Sequence, residues 1–194
     1  MPVAALRVGL THCRSKNRHY PAAMLTLVAP DVALHSSWLA AHREWGPGRH
    51  EDCFGIAAED EVDSSEGFSR FVQRVRTRPT ARLWWVLDDN QVVGGIALRQ
   101  DDAPNVLQHG HIGYGVRPSW RGKGVATWAL GEVLGRAPAV GLQQVLLVCL
   151  DDNVASIKTI ERHGGWLDDV TVRDGIRLRR YRIDLRLART AAGG

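Results

Sequence analysis

Between Ile112 and Leu134 the chain changes character in a way that suits anion chemistry. Ile112 to Val116 is an apolar, β-leaning run, and Val125, Trp128, Ala129, Val133 and Leu134 recur at helical spacing. Joining them is Arg117-Pro118-Ser119-Trp120-Arg121-Gly122-Lys123-Gly124, which supplies two glycines and three cations just ahead of the helix. The first turn of a helix carries backbone N–H groups with no intrahelical partner and a partial positive charge. Gly122 and Gly124 have no Cβ to keep a ligand off that backbone, and Arg121 and Lys123 add full charges. Such a loop is suited to holding an anion of phosphate type. A basic surface connection with no ligand would have the same composition, and the residues alone leave that alternative open.

Two familiar phosphate loops fail on spacing. A Walker A loop needs a glycine five residues before its Gly-Lys, and none precedes Gly122 at that distance. A dinucleotide fingerprint needs a third glycine opening the helix, whereas Pro118 follows Gly113 and Gly115 at that place. The pattern that does fit is R-x-x-G-x-A at Arg121, Gly124 and Ala126. It resembles the acyl-CoA loop of the GNAT N-acetyltransferases. That resemblance implies acetyl-CoA as cosubstrate, bound by Val116, Arg121, Gly122, Lys123, Gly124, Val125, Ala126 and Thr127.

A second element extends the likeness. Val145 to Leu150 reads as a buried strand, and Asn153-Val154-Ala155-Ser156 opens a helix that stops at Gly164-Gly165. This is similar to the family's N-x-x-S element, in which the Asn meets the pantetheine arm. Read without the family, Asn153 is equally an N-cap. With Gly94 to Arg99 and the closing strand Arg177 to Leu187, the likeness spans about residues 80–187. It is strongest to bacterial acetyltransferases sharing G-H-I-G-Y-x-V-R-P-S-x-R-G-K-G, and it includes the ribosomal-protein N-terminal acetyltransferase branch. The implied fold is α/β: a mixed, mostly antiparallel sheet with two splayed parallel strands, His109–Val116 and Val145–Leu150, and helices on both faces.

The implied reaction removes a proton from a primary amine of a small molecule or peptide, stabilises the carbonyl oxygen and releases a thiolate. Relatives with E-I-G-Y on the first splayed strand carry a carboxylate base where this chain has His111. Histidine titrates near neutrality and suits that task, although a polar residue at a strand start needs no such role. His109 lies two residues earlier, but no third ligand completes a metal site, so none is expected. Glu51, Asp52, Glu59 and Asp60 are alternative bases or amine-binding carboxylates, against the alternative of a solvated acidic loop. Many relatives place a thiolate-protonating Tyr where Ile160 stands. Ser156 becomes the candidate donor, against the alternative of an exposed or back-bonded helix serine. A thiolate also leaves without a dedicated acid, since a thiol pKa is about 8.5.

Composition bounds the rest. A chain of 194 residues with 44% hydrophobic content suits a single domain, expected over residues 23–190 behind a loose arm at 1–22. Helices are expected from Val32 to Trp45 and around Phe68 to Val75, and a hairpin at Asp88-Asp89-Asn90. No apolar run has the length of a membrane span, and Arg7 and His12 to Arg18 break up any signal-peptide core. Cys13, Cys53 and Cys149 fall at unrelated spacings, which fits a reducing cytoplasm. The net charge of +4 is dispersed, with no basic stripe interleaved with aromatics, so nucleic acid is not an expected partner. Acetyl-CoA and an amine are, and the resemblance allows a homodimer. The rival readings are a catalytically silent CoA-binding regulatory module, left open by the missing Tyr, and an interaction domain resting on pI alone.

Overall fold

The structure, a computed structural model, describes residues 25–46, 55–100 and 106–186. The arm at 1–22, Cys13, Cys53, Glu51, Asp52 and the end of the expected last strand lie outside them.

Four strands, β1 (Leu25–Val28), β2 (Ala81–Asp88), β3 (Gln91–Arg99) and β4 (Ile112–Val116), form an antiparallel sheet in chain order. A second antiparallel sheet places β7 (Ile176–Asp184) between β5 (Gln144–Leu150) and β6 (Trp166–Arg173). Helices α1 (His35–Glu44) and α2 (Ser65–Arg76) cover one face of the first sheet. Their apolar stripes meet it in an aromatic cluster. The Trp38 ring centroid lies 5.0 Å from Phe71, 5.3 Å from Phe68 and 6.1 Å from Trp85. Helix α4 (Val125–Arg136) packs on the opposite face. Its Val125, Ala129, Leu130 and Val133 join Val86, Ile96, Val145 and Ile183 in one core. That core spans both sheets. It derives most of its stability from removing these side chains from water, each valine, leucine or isoleucine worth about 1.5–3 kcal/mol.

The sequence expected the first splayed strand to start at His109. Instead Val106–His109 forms a short helical turn, α3, and β4 begins only at Ile112. Gly110 is the reason. Its φ is +76°, and a Cβ there would sit 2.6 Å from the Leu146 carbonyl oxygen. The chain turns at a point where only glycine lets the two sheets touch. There the His111 N–H donates to Leu146 O at 2.7 Å, and the Leu146 N–H donates to the His111 ring at Nδ1, 2.9 Å away. Beyond this bridge no ladder joins β4 to β5 among the described residues, and the sheets part.

Candidate active site

The register of β3 and β4 decides what β4 offers to the opening. Arg99 N–H donates to His111 O and Arg117 N–H to Val93 O, so odd-numbered residues exchange hydrogen bonds with β3. Successive residues point their backbone groups to opposite edges of a strand, so Tyr114 and Val116 direct theirs into the gap between the sheets. One of those groups is already in use: Arg121 Nε donates to Val116 O at 3.3 Å.

Two cavities open from this gap. The smaller, about 590 Å³, lies between the 121–127 loop and helix α5 (Val154–Arg162), over Tyr114, Gly115 and Val116. Gly124 occupies the position before α4 with φ +85°, and a Cβ on it would meet nothing within 4 Å. Among the described residues no side chain caps α4, so its first N–H groups are left without a side-chain acceptor there. Arg121 lines this cavity, its guanidinium 4.8 Å from the Trp45 ring centroid. Lys123 does not line it, contrary to expectation. Its ammonium lies 4.3 Å from the Trp120 ring centroid, held by the ring's negative face.

The larger cavity, about 950 Å³, runs from the same gap toward α1, α3 and the β6–β7 hairpin. Tyr114, Asn153 and Ser156 line both cavities. Asn153 Oδ1 accepts the Ser156 N–H at 3.0 Å, so the N-cap role is realised, and Nδ2 makes no hydrogen bond with a described residue. Ser156 Oγ makes no hydrogen bond with the described residues, so the back-bonded alternative is not formed. Tyr114 Oη donates to Ser156 O at 3.4 Å, placing a phenol across the gap from β4 to α5. Ile160, where relatives carry Tyr, is 1% exposed and part of the core.

His111 lines neither cavity. It is 7% exposed, and its Nδ1 is taken by the Leu146 amide. The structure thus gives this ring the work of joining two sheets, and the expectation of a base there loses its geometric ground. His109, on α3, is exposed and lines the larger cavity, as does half-buried His42. The His-x-His pair therefore does not share one strand face. Glu59 and Asp60 line neither cavity, and Asp60 is paired with Arg74.

Helix α1 is tied to the loop from the other side. Its last residue, Glu44, accepts from Arg117 Nε and from the Ser119 N–H. Burial pushes the Glu44 carboxyl up, but hydrogen bonds from Arg117 and Ser119 outweigh it and leave the carboxyl below its usual range.

Sequence reasoning missed Tyr114, Lys158 and Arg162 as lining residues. Lys158 and Arg162 stand four apart on α5, a spacing visible in the sequence that puts both on one face. Tyr114 gave no such signal, because only the parting of the sheets turns a strand tyrosine into a cavity wall.

Comparison with known proteins agrees with this geometry. Residues 37–165 match the Acetyltransferase (GNAT) family. No curated protein sequence matches. Among solved structures, a probable acetyltransferase superposes with a TM-score of 0.66 at 16% identity, covering 84% of this chain and 94% of that one. The microcin C7 self-immunity acetyltransferase MccE, in complex with acetyl-CoA and AMP, gives 0.60 at 18% identity, with coverage of 83% and 92%. The Salmonella typhimurium acetyltransferase that modifies the N-terminal serine of ribosomal protein L7/L12 gives 0.57 at 19%, with coverage of 84% and 97%. The chain belongs to the GNAT family of acetyltransferases. It is an acetyl-CoA-dependent N-acetyltransferase. Among the described residues no helix is long and apolar enough to cross a membrane.

Proposed function

We propose that acetyl-CoA lies across the two cavities and that the acceptor amine reaches the thioester from the larger one. The supporting observation is their meeting at Tyr114, Asn153 and Ser156. The pyrophosphate rests on the amides of Gly122 to Thr127 beside Arg121, with Lys123 contributing only at long range. The pantetheine arm pairs with the Val116 backbone and with Asn153 Nδ2, much as an added strand would. This puts the thioester at the junction. Attack by the amine forms the C–N bond and breaks the C–S bond, and the amine's proton passes to solvent through the cleft histidines, His109 or His42. Tyr114 Oη and Ser156 Oγ are the hydroxyls beside the departing sulfur. One protonates it, and the second keeps the first in line.

The acceptor carries a negative charge near its amine. The larger cavity is lined by Arg99, Arg173, His42 and His109 against one described carboxylate, Asp174. The Arg173 guanidinium donates to a neutral carbonyl, Gln108 O, at 2.6 Å. MccE was captured with AMP, an anion, beside acetyl-CoA. A cytoplasmic location belongs to the same proposal, supported by the need for acetyl-CoA.

Matched amines test the acceptor class by released thiol: an amino acid against its decarboxylated amine, an aminoalkyl phosphate against the alkylamine, and a polyamine. The anionic member of each pair should be acetylated faster, and Arg173→Gln should raise its KM about tenfold. Preference for the polyamine overturns this reading of the cleft.

A further inference from the structure

Two of the large apolar side chains left exposed among the described residues, Leu150 at 39% and Ile176 at 52%, stand on the wall of the larger cavity. The register makes them part of one strip. Leu150 lies opposite Leu178 across β5 and β7, and Ile176 is two residues before Leu178, so the three share a face of the second sheet. Val148, two residues before Leu150, extends it, and all four line the cavity. The opposite face of the same strands carries Leu147, Tyr181 and Ile183 into the core. A tight turn sets a cation at the end of the strip. Asp174 and Gly175 take φ of +51° and +77°, as a two-residue hairpin turn requires, which makes Arg173 the direct partner of Ile176. Residues so paired have Cβ atoms about 4.5–5.5 Å apart. Arg173 is half-buried, donates to Gln108 O and has no ion pair among the described residues. At the other end, Leu150 O accepts the Asn153 N–H at 3.1 Å, which brings the strip to the junction of the two cavities.

Resting on the reading of this cavity as the site of an anionic acceptor, we propose that the acceptor is a free amino acid with a large apolar side chain, selected by Leu150, Ile176 and Leu178. Its carboxylate pairs with the Arg173 guanidinium, and its side chain lies along the strip. Covering the strip takes apolar surface of both partners out of water. Because Arg173 and Ile176 are cross-strand neighbours, the anion and the apolar group they recognise are close together on the ligand. The carboxylate and side chain of one amino acid meet that condition. The first residue of a peptide has lost its carboxylate to the amide bond, and a polyamine has neither group. Each methylene removed from water is worth about fourfold in affinity, so the strip separates amino acids by side-chain size at constant charge.

Thiol release with glycine, asparagine, leucine, 3-methylbutylamine and leucyl-glycine as acceptors tests this on the full chain and on Leu150→Asn/Ile176→Asn. Both side chains are exposed, and an unchanged ligand-free Tm confirms that the variant folds. In wild type, kcat/KM for leucine should exceed that for glycine and for asparagine, which is close to leucine in size, by at least thirtyfold. The variant should lose at least tenfold of that preference, chiefly through the leucine KM. Asparagine used as well as leucine overturns the strip and leaves the anionic acceptor standing. Leucine used no better than 3-methylbutylamine overturns the anionic reading itself, and the amino acid with it. Faster use of leucyl-glycine than of leucine replaces the free amino acid by a peptide N-terminus and overturns the proposal. So does a preference for leucine that is undiminished in the variant, or turnover of no amino acid by wild type.

Discussion

The two halves of the gap between the sheets are built differently. Apart from Trp45, the cofactor side comes from two short segments: 114–127, a strand end running through a loop into a helix, and 153–162, a capped helix. The acceptor side gathers residues from α1, α3, β4, β5, α5 and the β6–β7 hairpin, remote from one another in sequence. A site of local segments depends on backbone conformation, and one substitution can abolish it. A site of distant walls depends on how the sheets are joined, and single substitutions there tune it. The expected effects rank accordingly.

Gly124→Val should be the most damaging change. Valine is strained at φ +85°, and its side chain would occupy the space over the first α4 amides. Acetyl-CoA raises the Tm of wild type by binding only the folded state, and that rise should vanish in the variant. A full thermal shift in a folded Gly124→Val protein would place the cofactor elsewhere.

Tyr114→Phe and Ser156→Ala probe the junction of the two halves. One of them should lower kcat by about 10²-fold and the other by a smaller factor. Acetyl-CoA affinity should stay within about twofold, because the lost interaction belongs to the transition state. Steady-state kinetics with separately measured Kd values decides this. Normal kcat in both variants would leave the thiolate to depart without a protein acid.

His111→Ala separates a joint from a base. Removing the ring leaves the buried Leu146 N–H without its acceptor, a cost of about 1–3 kcal/mol. The Tm should fall by several degrees, and the acidic limb of kcat/KM should persist. Disappearance of that limb would restore His111 as the base.

Glu44→Gln should have the smallest effect and a definite pH dependence. The Glu44 carboxyl lies below its ordinary value of 4.5 in the folded protein. A depressed carboxylate stabilises fully above its unfolded pKa and loses that contribution as pH falls through the folded one. The Tm gap between wild type and variant should therefore be widest near neutrality and close progressively below about pH 4.5. A gap constant between pH 6 and pH 3 would remove the Glu44–Arg117 clamp as the link between α1 and the loop.

Much of the cofactor half was legible beforehand because its determinants are local. Glycine at a positive φ, a helix start after a strand and an N-x-x-S opening are each specified within a few residues. Helices α1 and α2 and the β2–β3 hairpin followed from periodicity and turn residues for the same reason. Even there, Lys123 went astray, since its charge was readable but its attraction to the Trp120 face was not.

What the sequence determined alone is the set of backbone conformations: where strands yield to helices, and where amides are left exposed for an anion. Tertiary structure decided which side chains share a cavity. His111 and Tyr114 lie three residues apart on the same segment, yet one ring locks the sheets together and the other lines both cavities. Nothing in their residue types separates them. The distinction arises because the sheets are joined at Gly110 and diverge beyond it, and that divergence depends on packing between segments more than thirty residues apart.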